Sequence, residues 1–307
     1  MIMRIQTFVD LRRRAQELGP KRVAVVMADD EVALSAIAMA VTLKIATPVL
    51  IGDVTLIREK LALVENGTMA DQAVFIAAAN AQAAAEAAVS MCRNGEADIL
   101  LKGHLRTDQL LHAVLDKQHG LRTGRLLSDL LLYEDTLCGM RRLVGVTDGG
   151  INVLPSLEQK KQIIENALLV MHALGFQKPR IALMSATEAV TEAVPSTVEA
   201  KALTEMAARG EFDDCEVFGP LALDNALLES AAKAKGITSP VAGHADVMVV
   251  PNIEAGNILG KAVKYLGGSQ CAHVIVGAKV PVLIPSRVES ADDKLNSVAL
   301  GVIVCKM

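Results

Sequence analysis

Short apolar runs of strand length alternate with stretches of helical composition from the start of the chain. The first four runs, predicted as strands, cover residues 22–28, 47–52, 73–76 and 98–103. The stretches that follow them, predicted as helices, cover residues 32–46, 54–63, 80–93 and 108–117. Continuous apolar runs rich in β-branched residues are typical of strands buried on both faces. The alternation therefore predicts a parallel sheet covered by helices on both sides.

A second alternating series follows residues 120–128, which show no clear period and are predicted as a loop leading into an apolar segment. Strands are predicted at residues 142–147, 180–185, 216–218, 245–251 and 273–277. Helices are predicted at residues 157–174, 198–209 and 258–266, with others opening at residues 219–224 and after the last strand. No low-complexity linker separates the halves, and 307 residues suit two domains. We therefore expect an α/β protein with two αβα-type domains and a cleft between them.

Composition limits the classes of function. Hydrophobic residues make up 51% of the chain, but aromatic residues make up only 2% and tryptophan is absent. The cores must therefore be built from Ala, Val, Leu and Ile, and base-stacking platforms for single-stranded nucleic acid are disfavoured. The formal net charge of −4 also argues against a general nucleic-acid binder.

The cysteines and the hydropathy pattern indicate a cytoplasmic protein. The five cysteines are scattered, odd in number and without a CxxC motif, which is typical of reduced thiols. Residues 1–18 carry charges throughout and lack the apolar core of a signal peptide. The most apolar stretch, residues 73–91, is interrupted by Asn80, Gln82 and Glu86, so no membrane-spanning segment is predicted.

Several common catalytic motifs are absent from the sequence. It has no GxxxxGK[ST] phosphate loop, no GxSxG nucleophile elbow and no GxGxxG after the first strand. The six histidines show no zinc-ligand spacing, and no metal is predicted. A Mg²⁺ site from Asp224, Asp246 or Asp293 stays open, because carboxylates far apart in sequence can converge. What remains is a set of polar clusters at strand ends, whose donors suit an anionic, phosphorylated ligand.

One polar cluster follows the fourth predicted strand. Lys102 and Gly103 end this strand, and Thr107 stands at the entry to the next helix. A strand end beside a helix N-terminus is a natural anion site. A solvated strand-end lysine followed by a turn is the alternative, because the pattern is common.

A second polar cluster lies near the end of the chain, in residues 281–294. A short apolar strand there runs through a polar turn into the last helix, and open α/β sheets place ligands at such junctions. The turn holds a hydroxyl, a guanidinium and several carboxylates. Ser290 followed by Asp292 and Asp293 is also the pattern of an ordinary capped helix N-terminus, so a structural role stays open.

Several motifs of the second half occur in a distinctive order. They are GPLAxD at residues 219–224, SPVAGxAD at 239–246, PNIEAGN at 251–257 with Lys261, and Ser-Arg at 286–287 followed by Asp293 and Lys294. In this order they resemble the phosphate acetyl/butyryltransferase family. Lys102-Gly103 with Thr107, and LRTGxLLS at residues 121–128, are similar to the first half of its butyryl branch. Each motif alone is weakly specific, but their order is strongly specific, and the resemblance covers nearly the whole chain.

The resemblance implies a reversible reaction in which acyl-CoA and phosphate give acyl phosphate and CoA. It implies two α/β domains like those of isocitrate and isopropylmalate dehydrogenases, with the active site in the cleft. The N-terminal domain is then discontinuous, covering residues 1–137 and 273–307, and residues 138–272 form a second domain expected to dimerise. Coenzyme A is a substrate and no cofactor is implied. The expected partners are acyl-CoA, inorganic phosphate, acyl phosphate and further copies of the chain, in a homodimer or a higher homo-oligomer.

The family's catalytic Ser-Arg pair matches Ser286 and Arg287, and its catalytic aspartate matches Asp293. By this resemblance Asp293 takes the proton of the CoA thiol, because the thiolate is the better nucleophile. Arg287 holds phosphate and polarises the acyl carbonyl, and Ser286 donates a hydrogen bond to developing charge. Asp292 is the nearest rival to Asp293. The expected phosphate- and CoA-binding residues are Lys102, Gly103, Thr107, Thr123, Ser128, Asn252, Glu254, Asn257 and Lys261.

Two positions depart from the family pattern. His112 stands where the acetyl branch and many butyryl-type relatives carry an arginine, and a neutral histidine is a weaker phosphate clamp. Pro285 directly precedes Ser286 and restricts Ile284 to extended geometry. The butyryl-like first half favours butyryl or branched C4–C5 acyl groups, with acetyl-CoA as the alternative main substrate. The other hypotheses are an NAD-dependent dehydrogenase on the related fold and a non-catalytic CoA-binding regulator.

Overall fold

The computed structural model describes residues 4–64, 69–137, 139, 141–286 and 288–305 and confirms an α/β fold. The chain divides into two compact units. The N-terminal unit contains Val9–Arg125 and Ala272–Met307, and the central unit contains Met1–Phe8 and Leu126–Cys271. The described residues 4–8 and 126–137, which the sequence-based division placed in the N-terminal domain, belong to the central unit. The backbone shows why: the Ile5 N–H donates to the Leu174 carbonyl at 2.9 Å, and a strand beginning at Ser128 pairs within the central unit.

The regular elements of the described residues follow the predicted alternation. In chain order the strands are β1 Lys21–Val26, β2 Ala46–Gly52, β3 Val74–Ala77, β4 Ile99–Lys102, β5 Ser128–Asp135, β6 Arg142–Thr147, β7 Arg180–Met184, β8 Glu216–Leu221, β9 Val247–Val249, β10 Cys271–Val276 and β11 Val282–Leu283. The helices are α1 Phe8–Leu18, α2 Glu31–Thr42, α3 Val54–Val64, α4 Ala81–Arg93, α5 Thr107–Val114, α6 Leu157–Ala173, α7 Pro195–Ala208, α8 Leu223–Leu227, α9 Glu229–Ala234, α10 Ile253–Lys261 with a π-helical turn Ala262–Leu266, and α11 Ala291–Val304. Among these helices none combines the length and the apolar character that crossing a membrane requires.

The sheet of the N-terminal unit has the strand order β3-β2-β1-β4-β11-β10. The neighbours from β3 to β11 are parallel, as their apolar runs predict. Strand β10 is antiparallel to β11, which the prediction of a purely parallel sheet missed. The short return between these two strands leaves no room for the helical crossover that a parallel pair needs.

The sheet of the central unit has the order β5-β6-β9-β7-β8. Strands β6, β9, β7 and β8 are parallel, and β5 is antiparallel to β6. The apolar core under this sheet includes Val144, Leu221 and Met248. Strand β5 is buried along almost its whole length, so its sequence shows no alternation of polar and apolar residues that would have announced it.

Most helix starts follow the expected capping chemistry. The Asp30 carboxylate accepts from the Ala33 N–H at 2.8 Å, and the Asn80 side chain accepts from the Ala83 N–H at 3.0 Å. Three predicted starts were wrong, and the first is that of α7, which begins at Pro195 rather than at residue 198. Helix α10 begins at Ile253 rather than at residue 258, because the Asn252 side chain caps it by accepting from the Ala255 N–H at 2.9 Å. Residues 219–221 continue strand β8 rather than opening a helix.

Candidate active site

Three loops leave the same edge of the N-terminal sheet. Strands β1, β4 and β11 are adjacent and parallel, and their registers pair Val26 with Lys102 and Leu101 with Leu283. The loops that follow these strands therefore begin side by side. Open α/β sheets bind ligands at the carboxyl ends of neighbouring parallel strands, so this edge is the candidate ligand-binding site of the N-terminal unit.

Lys102 and Gly103 form the middle of this edge. The Lys102 side chain is only 5% exposed, and its Nζ donates to the Leu105 carbonyl at 3.3 Å. The interpretation of Lys102 as a solvated strand-end lysine is therefore wrong. The Gly103 N–H donates to the Val26 carbonyl at 2.9 Å, and a Cβ at this position would lie 2.7 Å from that oxygen and overlap the Met27 carbonyl. Only glycine lets the β4 loop pass so close to the β1 loop.

The side chains around Lys102 are polar. Thr107 begins α5 and is half-buried. The Asp29 carboxylate, in the β1 loop, has one oxygen 3.1 Å from His104 Nδ1, and its other oxygen is buried with no hydrogen-bond partner among the described residues. His112, the departure from the family pattern, is exposed in the last turn of α5. The edge thus combines a buried ammonium, a helix N-terminus and a partly satisfied carboxylate.

The loop after β11 carries the expected catalytic residues. Ser286 is exposed, and the Glu289 N–H donates to its carbonyl at 3.2 Å, which closes a tight turn. Arg287, expected to hold phosphate, lies outside the residues that the structure describes. Because β11 continues directly into this turn, Ser286 follows the strand that neighbours the one ending in Lys102.

Asp293 is fully buried in the first turn of α11. Its Oδ2 accepts from the Ser290 N–H at 3.2 Å and from the Ser290 hydroxyl at 2.5 Å. The Asp293 N–H in turn donates to Ser290 Oγ at 3.2 Å. This is a complete capping box, so the structural role that the sequence left open is present. It also fixes the carboxylate beside the turn that carries Ser286.

Asp292, the alternative to Asp293 as the catalytic aspartate, forms an ion pair with Arg12. Its side chain is 52% exposed, and its Oδ1 accepts from Arg12 Nη2 at 2.8 Å. Arg12 Nε also donates to Asn296 Oδ1 at 2.8 Å, so this guanidinium joins α1 to α11. The two adjacent aspartates therefore differ in burial and in partner, and the ion pair gives Asp292 a surface role.

Thr123, another expected binding residue, lies in the N-terminal unit but is exposed. Its hydroxyl donates to the Gly277 carbonyl at 2.5 Å and accepts from the Arg125 N–H at 3.2 Å. These contacts hold the segment after α5 against the end of β10. The geometry gives Thr123 a part in shaping this segment.

The remaining expected binding residues lie in the central unit. Asn252 caps α10, while Glu254, Asn257 and Lys261 are exposed along that helix at spacings of three and four residues, which places them on one face. Ser128 lies on a different element. It is 2% exposed at the start of β5, and its Oγ accepts from Asn166 Nδ2 at 2.9 Å.

The N-terminus of α10 packs closely on the turn that follows β6. A Cβ at Gly256 would lie 2.6 Å from the Gly149 Cα, so glycines at both positions permit this approach. Asn257 Nδ2 donates to the Gly149 carbonyl at 3.4 Å. The turn after β6 thus supports the helix end that carries the exposed polar face.

Asp148, in this turn, is a functional candidate that the sequence interpretation missed. Its Oδ1 accepts from the Gly150 and Ile151 N–H groups, each at 2.9 Å, and Asn152 Nδ2 donates to its Oδ2 at 2.5 Å. Burial, together with the nearby charge of Asp129, raises the pKa of Asp148 to about 6 despite these hydrogen bonds. The sequence could not indicate this raised pKa, because both its causes, the burial of Asp148 and the nearby charge of Asp129, arise only in the folded chain.

The carboxylates considered for Mg²⁺ are placed differently from one another. Asp246 accepts hydrogen bonds from Arg4 and Arg180, and Asp224 lies 3.5 Å from Lys235 Nζ. Within the described ranges no group of three or more His, Cys, Asp or Glu side chains is arranged to hold a metal. Asp246 and Asp224 thus have arginine or lysine partners, while Asp293 accepts from Ser290.

Comparison with known proteins decides the family. Residues 72–302 match the model of the family described as Phosphate acetyl/butaryl transferase. The chain belongs to this family. It is 39% identical to the phosphate butyryltransferase of Clostridium beijerinckii, over 97% of this chain and 98% of the relative. It is 40% identical to the phosphate acetyltransferase of Rickettsia felis, over 96% of this chain and 83% of the relative.

Solved structures agree with the family. A branched-chain phosphotransacylase from Enterococcus faecalis superposes with a TM-score of 0.81 at 31% identity, covering 93% of this chain and 99% of that one. The fold also matches a 4-hydroxythreonine-4-phosphate dehydrogenase from Klebsiella pneumoniae, with a TM-score of 0.53 at 15% identity, covering 93% of this chain and 99% of that one. The expected dehydrogenase-like fold is thus confirmed, and family membership identifies the chain as an acyltransferase enzyme rather than a dehydrogenase.

Proposed function

We propose that this enzyme catalyses the reversible transfer of a short acyl group between coenzyme A and inorganic phosphate. Acyl-CoA and phosphate give acyl phosphate and CoA. The observation that supports this best is the edge of the N-terminal sheet, where the turn of Ser286 and the buried Asp293 follow the strand beside Lys102. It joins a cation for phosphate with a carboxylate able to accept a thiol proton, and neither task needs a cofactor.

Phosphate is bound, in this proposal, by the β4 loop. Lys102 supplies the buried charge, the Gly103 backbone keeps the loop close to the neighbouring strand, and Thr107 adds a hydroxyl at the N-terminus of α5. Helix N-termini favour anions because their first N–H groups lack intrahelical partners. Arg287 is proposed as a further phosphate ligand on the family pattern alone.

Acyl transfer then proceeds within one complex of both substrates. In the direction of acyl-CoA formation, Asp293 accepts the thiol proton and the sulfur forms a bond to the acyl carbon. The bond from that carbon to the phosphate oxygen breaks, and phosphate leaves with both electrons. Ser286 donates a hydrogen bond to the negative charge that develops on the carbonyl oxygen. In reverse, a phosphate oxygen attacks the thioester and Asp293 returns the proton to the departing sulfur.

The central unit is proposed to bind CoA and to form the dimer. Glu254, Asn257 and Lys261 present one exposed polar face on α10, which suits a polar substrate. Asn252 and Ser128 of this unit, and Thr123 of the N-terminal unit, would act through the positions of the segments that they hold. We further propose that the enzyme works as a homodimer or higher homo-oligomer in the cytoplasm.

Butyryl and branched C4–C5 acyl groups are the proposed preference. The support is the likeness to a phosphate butyryltransferase and to a branched-chain phosphotransacylase. Acetyl-CoA is the second candidate, because the likeness to a phosphate acetyltransferase is equally strong. A methylene group in an apolar pocket contributes only about 1–3 kcal/mol to discrimination, so activity with several acyl groups is expected.

The test is a thiol-release assay with phosphate and a panel of acetyl-, butyryl- and isobutyryl-CoA. We expect phosphate-dependent release of CoA, with the highest kcat/KM for a C4 substrate. Highest kcat/KM for acetyl-CoA would establish the second candidate. Absence of release with every member would contradict the proposal and leave the hypothesis of a non-catalytic CoA-binding protein.

A further inference from the structure

Among the described residues between Ser286 and α11, Glu289 has a buried side chain. Ser286 and Ser290 are exposed and Val288 is 74% exposed, yet Glu289 between them is only 6% exposed. A glutamate on a surface turn ordinarily points into solvent, because burying a carboxylate is costly. The inward carboxylate of Glu289 therefore needs an explanation.

The partner of Glu289 is a histidine on the neighbouring strand. Glu289 Oε1 lies 3.3 Å from Nε2 of His273, which is part of β10. With a hydrogen on Nε2 the imidazole can donate to this carboxylate. The contact ties the loop after β11 to the strand that pairs with β11.

His273 is also linked to the helix that carries Asp293. The backbone N–H of His273 donates to Ser297 Oγ at 2.9 Å, and the Ser297 hydroxyl donates to the Asp293 carbonyl at 3.0 Å. His273 thus contacts the Ser286 turn through its side chain and α11 through its backbone. His273 therefore contacts both segments that carry the expected catalytic groups.

The Glu289 carboxylate is only half satisfied. Its Oε2 is buried and has no hydrogen-bond partner among the described residues. A capping box already stabilises the start of α11, so the fold does not need a second buried carboxylate there. A group kept at such a cost is more readily explained by what it positions than by stability.

We propose that Glu289 is a positioning residue, which through His273 fixes the turn of Ser286 relative to Asp293 during acyl transfer. This inference rests on the proposed function. The Glu289 N–H donates to the Ser286 carbonyl, and the buried Glu289 side chain adds an anchor on His273. Such positioning matters because small displacements of reacting groups slow catalysis strongly.

The experiment compares Glu289→Ala and Glu289→Gln in the wild-type enzyme and in a Ser286→Ala background. For each protein kcat, the KM for acyl-CoA and phosphate, and the urea midpoint are measured. Glutamine can still accept from His273 Nε2, so it separates the hydrogen bond from the charge. Glu96→Ala, at an exposed glutamate of the same unit, is the matched control.

We expect Glu289→Ala to lower kcat about 100-fold with little change in either KM, and Glu289→Gln to restore most of the loss. In the Ser286→Ala background the same substitution should lower kcat by a clearly smaller factor, because the Ser286 contribution is already gone, while shifting the urea midpoint as it does in the wild type. Equal losses of kcat in both backgrounds would overturn the inference. If Glu289→Ala does not fold, Glu289→Asp, which withdraws the carboxylate by one methylene, carries the same comparison. No activity in the wild type would instead overturn the proposed function.

Discussion

The buried carboxyl group of Asp148 makes a quantitative prediction about stability and pH. Its pKa is raised from 3.8 to about 6, because burial and the charge of Asp129 disfavour the ionised form. In the folded state this group binds its proton more tightly than in the unfolded state. Stability from this group is therefore greatest at low pH and is lost as the pH rises from about 4 to about 6.

The magnitude follows from the size of the shift. A difference of about two pKa units corresponds to about 3 kcal/mol over the whole window, of which about 2 kcal/mol is lost between pH 4.5 and pH 7.5. Asp148→Asn is neutral at both pH values and so removes this dependence. Asparagine places an amide opposite Asn152 Nδ2, so the variant will be less stable at pH 4.5, and only the change with pH is diagnostic.

The assay is urea unfolding of both proteins at pH 4.5 and pH 7.5. We expect the stability of Asp148→Asn relative to the wild type to improve by about 2 kcal/mol on going from the lower to the higher pH. Asp213→Asn, at an exposed aspartate of the central unit, should keep the wild-type pH dependence. The same pH dependence in Asp148→Asn as in the wild type would refute the reasoning.

Three further substitutions test the edge of the N-terminal sheet. Gly103→Ala forces a Cβ against the Val26 and Met27 carbonyls and should destabilise the fold by about 1–3 kcal/mol, measured as a lower melting temperature. An unchanged melting temperature would mean that the β4 and β1 loops are not in contact. Lys102→Met keeps the apolar part of the buried side chain but removes its charge, so the KM for phosphate should rise about tenfold, equivalent to about 1.4 kcal/mol, with kcat less affected. An unchanged KM would mean that Lys102 does not bind phosphate. Arg12→Ala removes the hydrogen bonds to Asp292 and Asn296 and should lower the free energy of unfolding in urea by about 1 kcal/mol without changing kcat. A large loss of kcat would show that Asp292 matters to catalysis.

The alternating pattern predicted the α/β class because buried parallel strands and capped helices leave local signals. Asp30 and Asn80 show this well: a polar residue before an apolar helix can accept from the first free N–H groups, and both do. Strand β5 left no such signal, since it is buried on both faces and follows an irregular loop. The cap at Asn252 was overlooked: its side chain caps α10, which begins five residues before the predicted start.

Some features of the candidate site could likewise be predicted from the sequence, and others could not. Lys102, Thr107 and Ser286 stand at strand ends or helix starts, so sequence position suggested them. The burial of Glu289, its contact with His273, and the charge of Asp129 near Asp148 arise from pairings between distant segments. No local pattern encodes such pairs, because the residues are brought together only by the order of strands in the sheet.

Asp293 is the residue on which the proposed chemistry depends most directly. The decisive measurement is the kcat of Asp293→Asn and Asp292→Asn for acyl-CoA formation from acyl phosphate and CoA. Asparagine can still accept from Ser290, so the capping geometry and the urea midpoint should be largely kept. If Asp293 is the general base, kcat falls by about 10²–10⁴-fold in Asp293→Asn and stays near the wild-type value in Asp292→Asn. Near wild-type turnover in a folded Asp293→Asn would contradict this role and leave Asp293 as a helix cap alone.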